Sequence, residues 1–214
     1  KPEHCVFFHH VLTPMHKVRS LPIYSPQLTY CICQFILKDP SLADSFIRSL
    51  IRYWPRTHPT KEALFLEELY EVLERVNSND LYLLMPKIFQ VISPTLASSH
   101  SHVCGKALTF ITSEFILPYA FNEAEIFTQY VLPSLLTSCN HWNEQVQEQF
   151  RITVHQRVTP QHQVYVADLH QALQQHNIKE EKVKAERVVR KQKWDKICAS
   201  VEKITAKYDS HAIV

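Results

Sequence analysis

One glycine, Gly105, serves a chain of 214 residues. Ordinary usage is about 7%, so backbone turns that need a positive φ are almost unavailable. Tight β-hairpins and phosphate-cradling loops both rely on such turns. The shortage argues against dinucleotide-binding folds and P-loop enzymes, and for an all-helical chain. At 45% hydrophobic and 21% charged, the chain has the composition of a folded protein. Its length allows one sizeable core, or several small units stacked around a continuous one.

Apolar spacing then divides the chain into helices. Ser25-Pro26 reads as a cap and first-turn proline, with Leu28, Ile32, Phe35 and Ile36 forming a stripe up to Lys38. After Asp39-Pro40-Ser41, the positions Leu42, Phe46, Leu50 and Tyr53 carry a second helix to a break at Trp54-Pro55. Pro59 starts a third that runs to Val76. Further helices are expected over 80–93, 97–113, 122–138, 141–156, 161–176 and 179–207. Links of two to six residues suit antiparallel neighbours. "HVLTPMHKV", "LLMPKIFQV" and "YVLPSLLTS" each place a proline within an apolar helix, at Pro14, Pro86 and Pro133. If the wider gap holds two units, the period is about 36–47, near the 40–47 of HEAT and armadillo repeats.

Charge is unevenly spread. Residues 179–207 hold ten Lys/Arg against five acids, a net +5, which leaves −3 for the rest of a chain with formal charge +2. So small a total does not point to wholesale nucleic-acid binding. Six cysteines without a secreted-framework spacing, and no Asn-x-Ser/Thr sequon, favour a reduced, intracellular setting. No apolar run reaches the roughly 18 residues that span a membrane, and no signal peptide is evident. The chain opens at Lys1 inside what reads as a helix, so a fragment or truncated form is expected.

The residues offer little for catalysis. In "IRYWPRTHPTKEALFLEELYEVLERV" (51–76), a helical projection gathers Phe65, Leu66, Leu69, Tyr70, Val72, Leu73 and Val76 on one wide face. Glu67, Glu71 and Glu74 fall opposite, with Glu68 and Arg75 at the edge and Glu71–Arg75 spaced for an i,i+4 pair. Paired carboxylates for acid–base work need a cleft that separates their pKa values; an outward acidic stripe facing water is the better reading. Leu64, apolar amid the acids, is a modest candidate for a partner contact. His100, His102 and Cys104 alternate, as do Cys31 and Cys33. On a helix, i and i+2 face apart, and no second ligand pair completes a zinc site. No catalytic residue, metal site or cofactor is expected.

In the tail, Trp194, Ile197, Val201, Ile204 and Tyr208 recur at steps of three and four, a narrow apolar seam on a charged helix. It fits a helix capping the last repeat, or a partner-binding or short coiled-coil helix. "RVVRKQK" (187–193) fits a nuclear-localisation patch.

One long stretch adds a resemblance. His16-Lys17-Val18 with Ser20-Leu21, Tyr24-x-Pro26-Gln27-Leu28, Gln34-Phe35, Tyr53-Trp54-Pro55-x-Thr57-His58 and Phe65-Leu66-x-Glu68-Leu69 occur in one order. Together they resemble the B-prime regulatory subunits of protein phosphatase 2A. Pro86-x-x-Phe89, Val103-x-x-Lys106-Ala107-Leu108, Pro133-Ser134-Leu135, His141-Trp142-Asn143 and Trp194-x-Lys196-Ile197 extend the likeness. Residues 109–114 lack the family's usual tryptophan and asparagines, and 150–176 match poorly, as in a divergent member.

The resemblance implies a right-handed superhelix of HEAT-like helix pairs over 1–178, the first pair partial, then a charged helix and tail over 179–214. It implies a non-catalytic regulatory role: binding the phosphatase's scaffold and catalytic subunits and selecting substrates that carry Leu-x-x-Ile-x-Glu motifs. Only Lys1 and His4 match the edge of the motif groove, where a cation and an imidazole suit an acidic peptide end. By the same analogy Lys17, Arg19, Trp54, Arg56 and His58 are the candidate contacts to scaffold and catalytic subunits. Trp and Arg are also types that dominate interface hot spots; Trp54 fits a core position equally. A generic solenoid adaptor, and a partial subunit lacking the motif groove, are the alternatives. The expected compartments are the cytoplasm and nucleus, with neither nucleic acid nor membrane as partner.

Overall fold

A computed structural model of the chain describes residues 2–76, 78–116, 118–119, 127–152, 171, 174, 178 and 181–201. Two compact units divide it, residues 1–163 and 164–214. The described residues form helices and turns and no strand. The first unit opens with α1 (Pro2–Phe7), which continues through a wider π turn (Phe8–Leu12) and a tighter 3-10 turn (Thr13–Lys17). α2 (Leu21–Lys38), α3 (Leu42–Arg52), α4 (Pro59–Leu73), α5 (Ser78–Leu96) and α6 (Ser101–Ile111) follow. A second π turn (Phe127–Val131) leads into α7 (Leu132–Ser138), and α8 (Glu144–Ile152) closes the described part of this unit. In the second unit α9 spans residues 181–201.

Successive helices of the first unit alternate between two layers. The 2–17 segment, α3, α5 and α7 form one layer; α2, α4, α6 and α8 form the other. Each helix packs on its pair mate and on the next member of its own layer. Stacking of every second helix is the arrangement of an α-helical repeat solenoid, in which each unit contacts only its neighbours. Phe8, Phe46, Phe65 and Phe89 are fully buried between the layers, with leucines and isoleucines filling the spaces around them.

Some boundaries differ from those read off the sequence. α2 starts at Leu21 and not at Ser25-Pro26, with Pro22 in its first turn and Pro26 inside it. Leu21 is buried, and gaining that side chain outweighs the one helical hydrogen bond that Pro26 cannot donate. α4 ends at Leu73, so the expected Glu71–Arg75 side-chain pair gives way to a cap. There the Arg75 guanidinium donates to the Glu71 carbonyl. The three prolines of the sequence repeat sit in different settings: Pro14 in the 3-10 turn, Pro86 inside α5, Pro133 in the first turn of α7. Residues 122–126, 153–170, Ile204 and Tyr208, on which other expected helices and the end of the tail seam fall, lie outside the described residues.

No described residue has a positive φ. Helices therefore stop without the left-handed cap that glycine usually supplies. They tighten instead, as where the Tyr53 N–H donates to the carbonyls of Ser49 (3.0 Å) and Leu50 (3.2 Å), and the Arg75 N–H to that of Val72 (3.0 Å). Gly105 lies inside α6, where a side chain would meet the Gln149 Oε1 of α8 at 3.2 Å. The Gln149 carboxamide donates to the Gly105 carbonyl (3.1 Å) and to Thr109 Oγ1 (2.8 Å).

A buried ion pair joins the first two helix pairs. His16 Nδ1 lies 2.8 Å from the Thr13 carbonyl, and Nε2 lies 3.0 Å from Glu68 Oε2. Both ring nitrogens face acceptors, an arrangement that favours the doubly protonated, cationic imidazole. Burial opposes that charge most strongly, but the hydrogen bond and charge of Glu68, with the Thr13 and Leu12 carbonyls, outweigh it. The His16 pKa is raised as a result. Phe46 and Phe65 meet the ring edge-on at centroid distances of 5.4 and 5.9 Å.

Two outcomes follow for stability. His16 is protonated at higher pH folded than unfolded, where its pKa is about 6.5. Its contribution is thus complete below that value and lost as pH rises through the folded pKa. The thermal midpoint should fall as pH rises above about 6.5, and His16→Gln should remove that component of the slope. Glu68→Ala should cost about 3 kcal/mol in denaturant unfolding, because it strands a buried cation. Gly105→Ala should stabilise by about 0.5 kcal/mol through helix propensity, since the contacting Gln149 carboxamide can shift.

Candidate functional site: the loop edge of the helix pairs

Links within successive helix pairs, residues 18–20, 53–58, 97–100 and 139–143, are tied to one another along one edge of the first unit. Lys17 Nζ stands 4.3 Å from the centroid of the Tyr53 ring, joining the first link to the second. Lys61, buried at the start of α4, donates from Nζ to the His16 carbonyl at 2.9 Å. Burial lowers its pKa. Trp54 Nε1 donates to Glu62 Oε1 (3.0 Å), which also accepts from Thr95 Oγ1 (3.2 Å) near the end of α5. That carboxylate thereby bridges the second and third pairs. Between the third and fourth, Trp142 Nε1 donates to the Ser99 carbonyl (2.6 Å), and Ser138 Oγ to the Leu96 carbonyl (2.7 Å).

Two glutamates of this stretch, Glu62 and the edge residue Glu68, are interior and not part of the outward acidic stripe. Glu62 is 6% exposed and Glu68 2%. Each lies on the layer-facing side of α4 and finds a donor from another element, which offsets the cost of its burial. Glu67, Glu71 and Glu74 are exposed as expected, and Leu64 is half-buried. The Lys106 ammonium pairs with Glu67 across to α6.

Of the residues singled out in the sequence, Lys17, Arg19, Arg56 and His58 are exposed on this edge. The His58 Nδ1 accepts from the Lys61 N–H at 3.3 Å, so His58 also caps α4. Trp54 is half-buried, its indole N–H bonded and its ring edge-on to Phe65 at 5.8 Å. It is the anchor of its loop, and the cations beside it are the accessible groups. His4 lies at the other end of the first pair, edge-on to Phe35 near the end of α2 at 6.3 Å. There it borders a cavity of about 430 Å³ with Tyr30, Cys31 and Lys38. Lys1 lies outside the described residues.

Sequence reasoning missed Trp142, which is 70% exposed on the same edge. Its neighbour His141 is buried and accepts from the Asn143 N–H through Nδ1 at 3.0 Å. The signal was available, since a tryptophan in a polar link beside Asn143 is not on an apolar stripe. His100 and His102 are exposed where the third link meets α6, while Cys104 is buried and donates to the Leu96 carbonyl at 3.1 Å. The alternating trio thus points in different directions. Burial raises the Cys104 pKa and pushes that of Cys33 up to about 11. No group of three or more potential metal ligands occurs among the described residues.

This edge can bind but offers no reacting constellation: exposed cations and an exposed indole stand on loops held by buried hydrogen bonds. Residues 1–201 match the family model described as protein phosphatase 2A regulatory B subunit (B56 family). A rice relative, the B' kappa isoform of the 57 kDa regulatory subunit of serine/threonine protein phosphatase 2A, is 39% identical over 68% of this chain and 29% of its own length. The delta 2 isoform of the 56 kDa regulatory subunit from Schizosaccharomyces pombe is 33% identical over 92% of this chain and 31% of its own length. The human 56 kDa delta isoform is 36% identical over 68% of this chain. The chain spans between 24% and 31% of the length of these relatives. It belongs to the B56 family of protein phosphatase 2A regulatory B subunits.

Proposed function

We propose that the chain acts as a non-catalytic regulatory and targeting element of protein phosphatase 2A, docking on the scaffold and catalytic subunits through its loop edge. The observation that carries this reading is the row of exposed Lys17, Arg19, Arg56, His58 and Trp142 on loops held by the buried His16, Lys61, Glu62 and Glu68. Membership of a phosphatase regulatory-subunit family supports the choice of partner. Rigid loops lose little entropy on docking, and an indole with flanking cations suits a hot spot. Substrate selection by Leu-x-x-Ile-x-Glu motifs belongs to the same proposal. Only Lys1 and His4 match the edge of that groove, so this chain alone should hold such peptides weakly or not at all.

Co-purification tests the docking. Tagged chain should retain both scaffold and catalytic subunits, and Arg19→Glu with Arg56→Glu should reduce retention at least tenfold, about 1.4 kcal/mol or more, without shifting the thermal midpoint. An unaltered chain that retained neither of them would favour a generic adaptor. In a separate titration, micromolar affinity of this chain for a motif peptide would overturn the assignment of weak motif binding.

A further inference from the structure

The second unit carries a surface that the phosphatase reading does not use. Every residue described from 181 to 201 is exposed. The helix they form holds seven Lys/Arg (182, 184, 187, 190, 191, 193, 196) against three acids (181, 186, 195), a net +4. Projected at about 100° per residue, Val183, Trp194, Ile197 and Val201 fall on one face. Trp194 is 65% exposed and Ile197 50%. Lys184 and Lys191 border that face on one flank, Lys182 and Lys193 on the other with Glu186 at its edge, while Arg187 and Arg190 lie within it and Val188 and Val189 lie off it.

We infer that α9 is a binding helix for anionic bilayer surfaces, lying in the plane of the headgroups with Trp194 and Ile197 inserted. This goes against the sequence expectation of no membrane partner. It concerns surface attachment only, for no described helix is long and apolar enough to cross a membrane.

Three observations select this occupant. Bulky apolar side chains on one face, lysines on both flanks and low overall hydrophobicity are the pattern of interfacial helices. The two arginines within the face decide between a bilayer and a protein groove. In a dry helix–helix seam both guanidiniums would have to be desolvated and matched by buried carboxylates, at high cost. At a lipid surface their stems can lie on the apolar boundary while the heads reach phosphate oxygens. A second copy of the chain is disfavoured because pairing would set two +4 helices and four seam arginines against each other.

Full-length chain should co-sediment with phosphatidylcholine vesicles carrying about 30% phosphatidylserine and at least tenfold less with phosphatidylcholine alone, weakening when salt is raised from about 0.15 to 0.5 M. Lys184→Glu with Lys191→Glu should lower binding at least tenfold, as each lost cation is worth about fivefold. Trp194→Ser with Ile197→Ser should do the same while leaving net charge and the thermal midpoint unchanged. Indole fluorescence should shift to the blue on binding, and Trp194→Phe should abolish the shift although Trp54 and Trp142 remain. Failure to bind the anionic vesicles, equal binding to neutral ones, or binding that survives both double variants would overturn the inference. So would a chain that ignores vesicles but dimerises through this helix in sedimentation velocity.

Discussion

The charged pair of His16 and Glu68 sets the geometry on which the first unit depends. Neither group could be interior alone, since an unpaired imidazolium or carboxylate at that depth would lose its charge or unfold its surroundings. Together they fix the end of the 2–17 segment against the middle of α4, and α4 in turn carries Lys61 and Glu62. Lys61 returns to the His16 carbonyl, and Glu62 reaches both Trp54 and Thr95. One helix thus holds three loops at once. The edge proposed to meet the phosphatase subunits rests on buried supports, although its contact groups are exposed.

Much of this was legible in the sequence and some of it was not, for identifiable reasons. The scarcity of glycine and the 3.6-residue spacing of leucines and phenylalanines led directly to paired helices, because both signals are local. The break at Trp54-Pro55 was equally plain. The burial of Glu62 and Glu68 was not, since a helical projection ranks residues by polarity and cannot see a donor arriving from residue 16 or residue 54. Even so, Glu68 lies one turn from both Phe65 and Val72, and that position on the apolar side was the available hint. The start of α2 was misplaced because Pro26 resembles a helix opener. Only the burial of Leu21 by neighbours distant in sequence extends the helix past it.

The proposed docking edge mixes both kinds of information. Lys17, Arg19, Arg56 and His58 were named by analogy with the family, whose contacts run along such loops, and the fold keeps all of them exposed. Trp54 was balanced between core and contact; its indole hydrogen bond to Glu62 makes it the anchor of the loop. Trp142 entered through the family likeness but not as a contact, because it stands outside any apolar period, and its exposure became visible only once the fourth link was placed beside Ser99.

The ties between neighbouring helix pairs differ in chemistry along the first unit. The first joint is held by a buried ion pair and an ammonium, the second by a buried carboxylate shared between an indole and a hydroxyl, with an exposed Lys106–Glu67 pair beside it. The third is held by hydroxyls and an indole on carbonyl groups. Raising the pH discharges His16 and loosens the first joint while leaving the hydroxyl-bonded one untouched. Joints of unequal chemistry respond unequally to their surroundings, so a change of pH acts on the first and passes over the third.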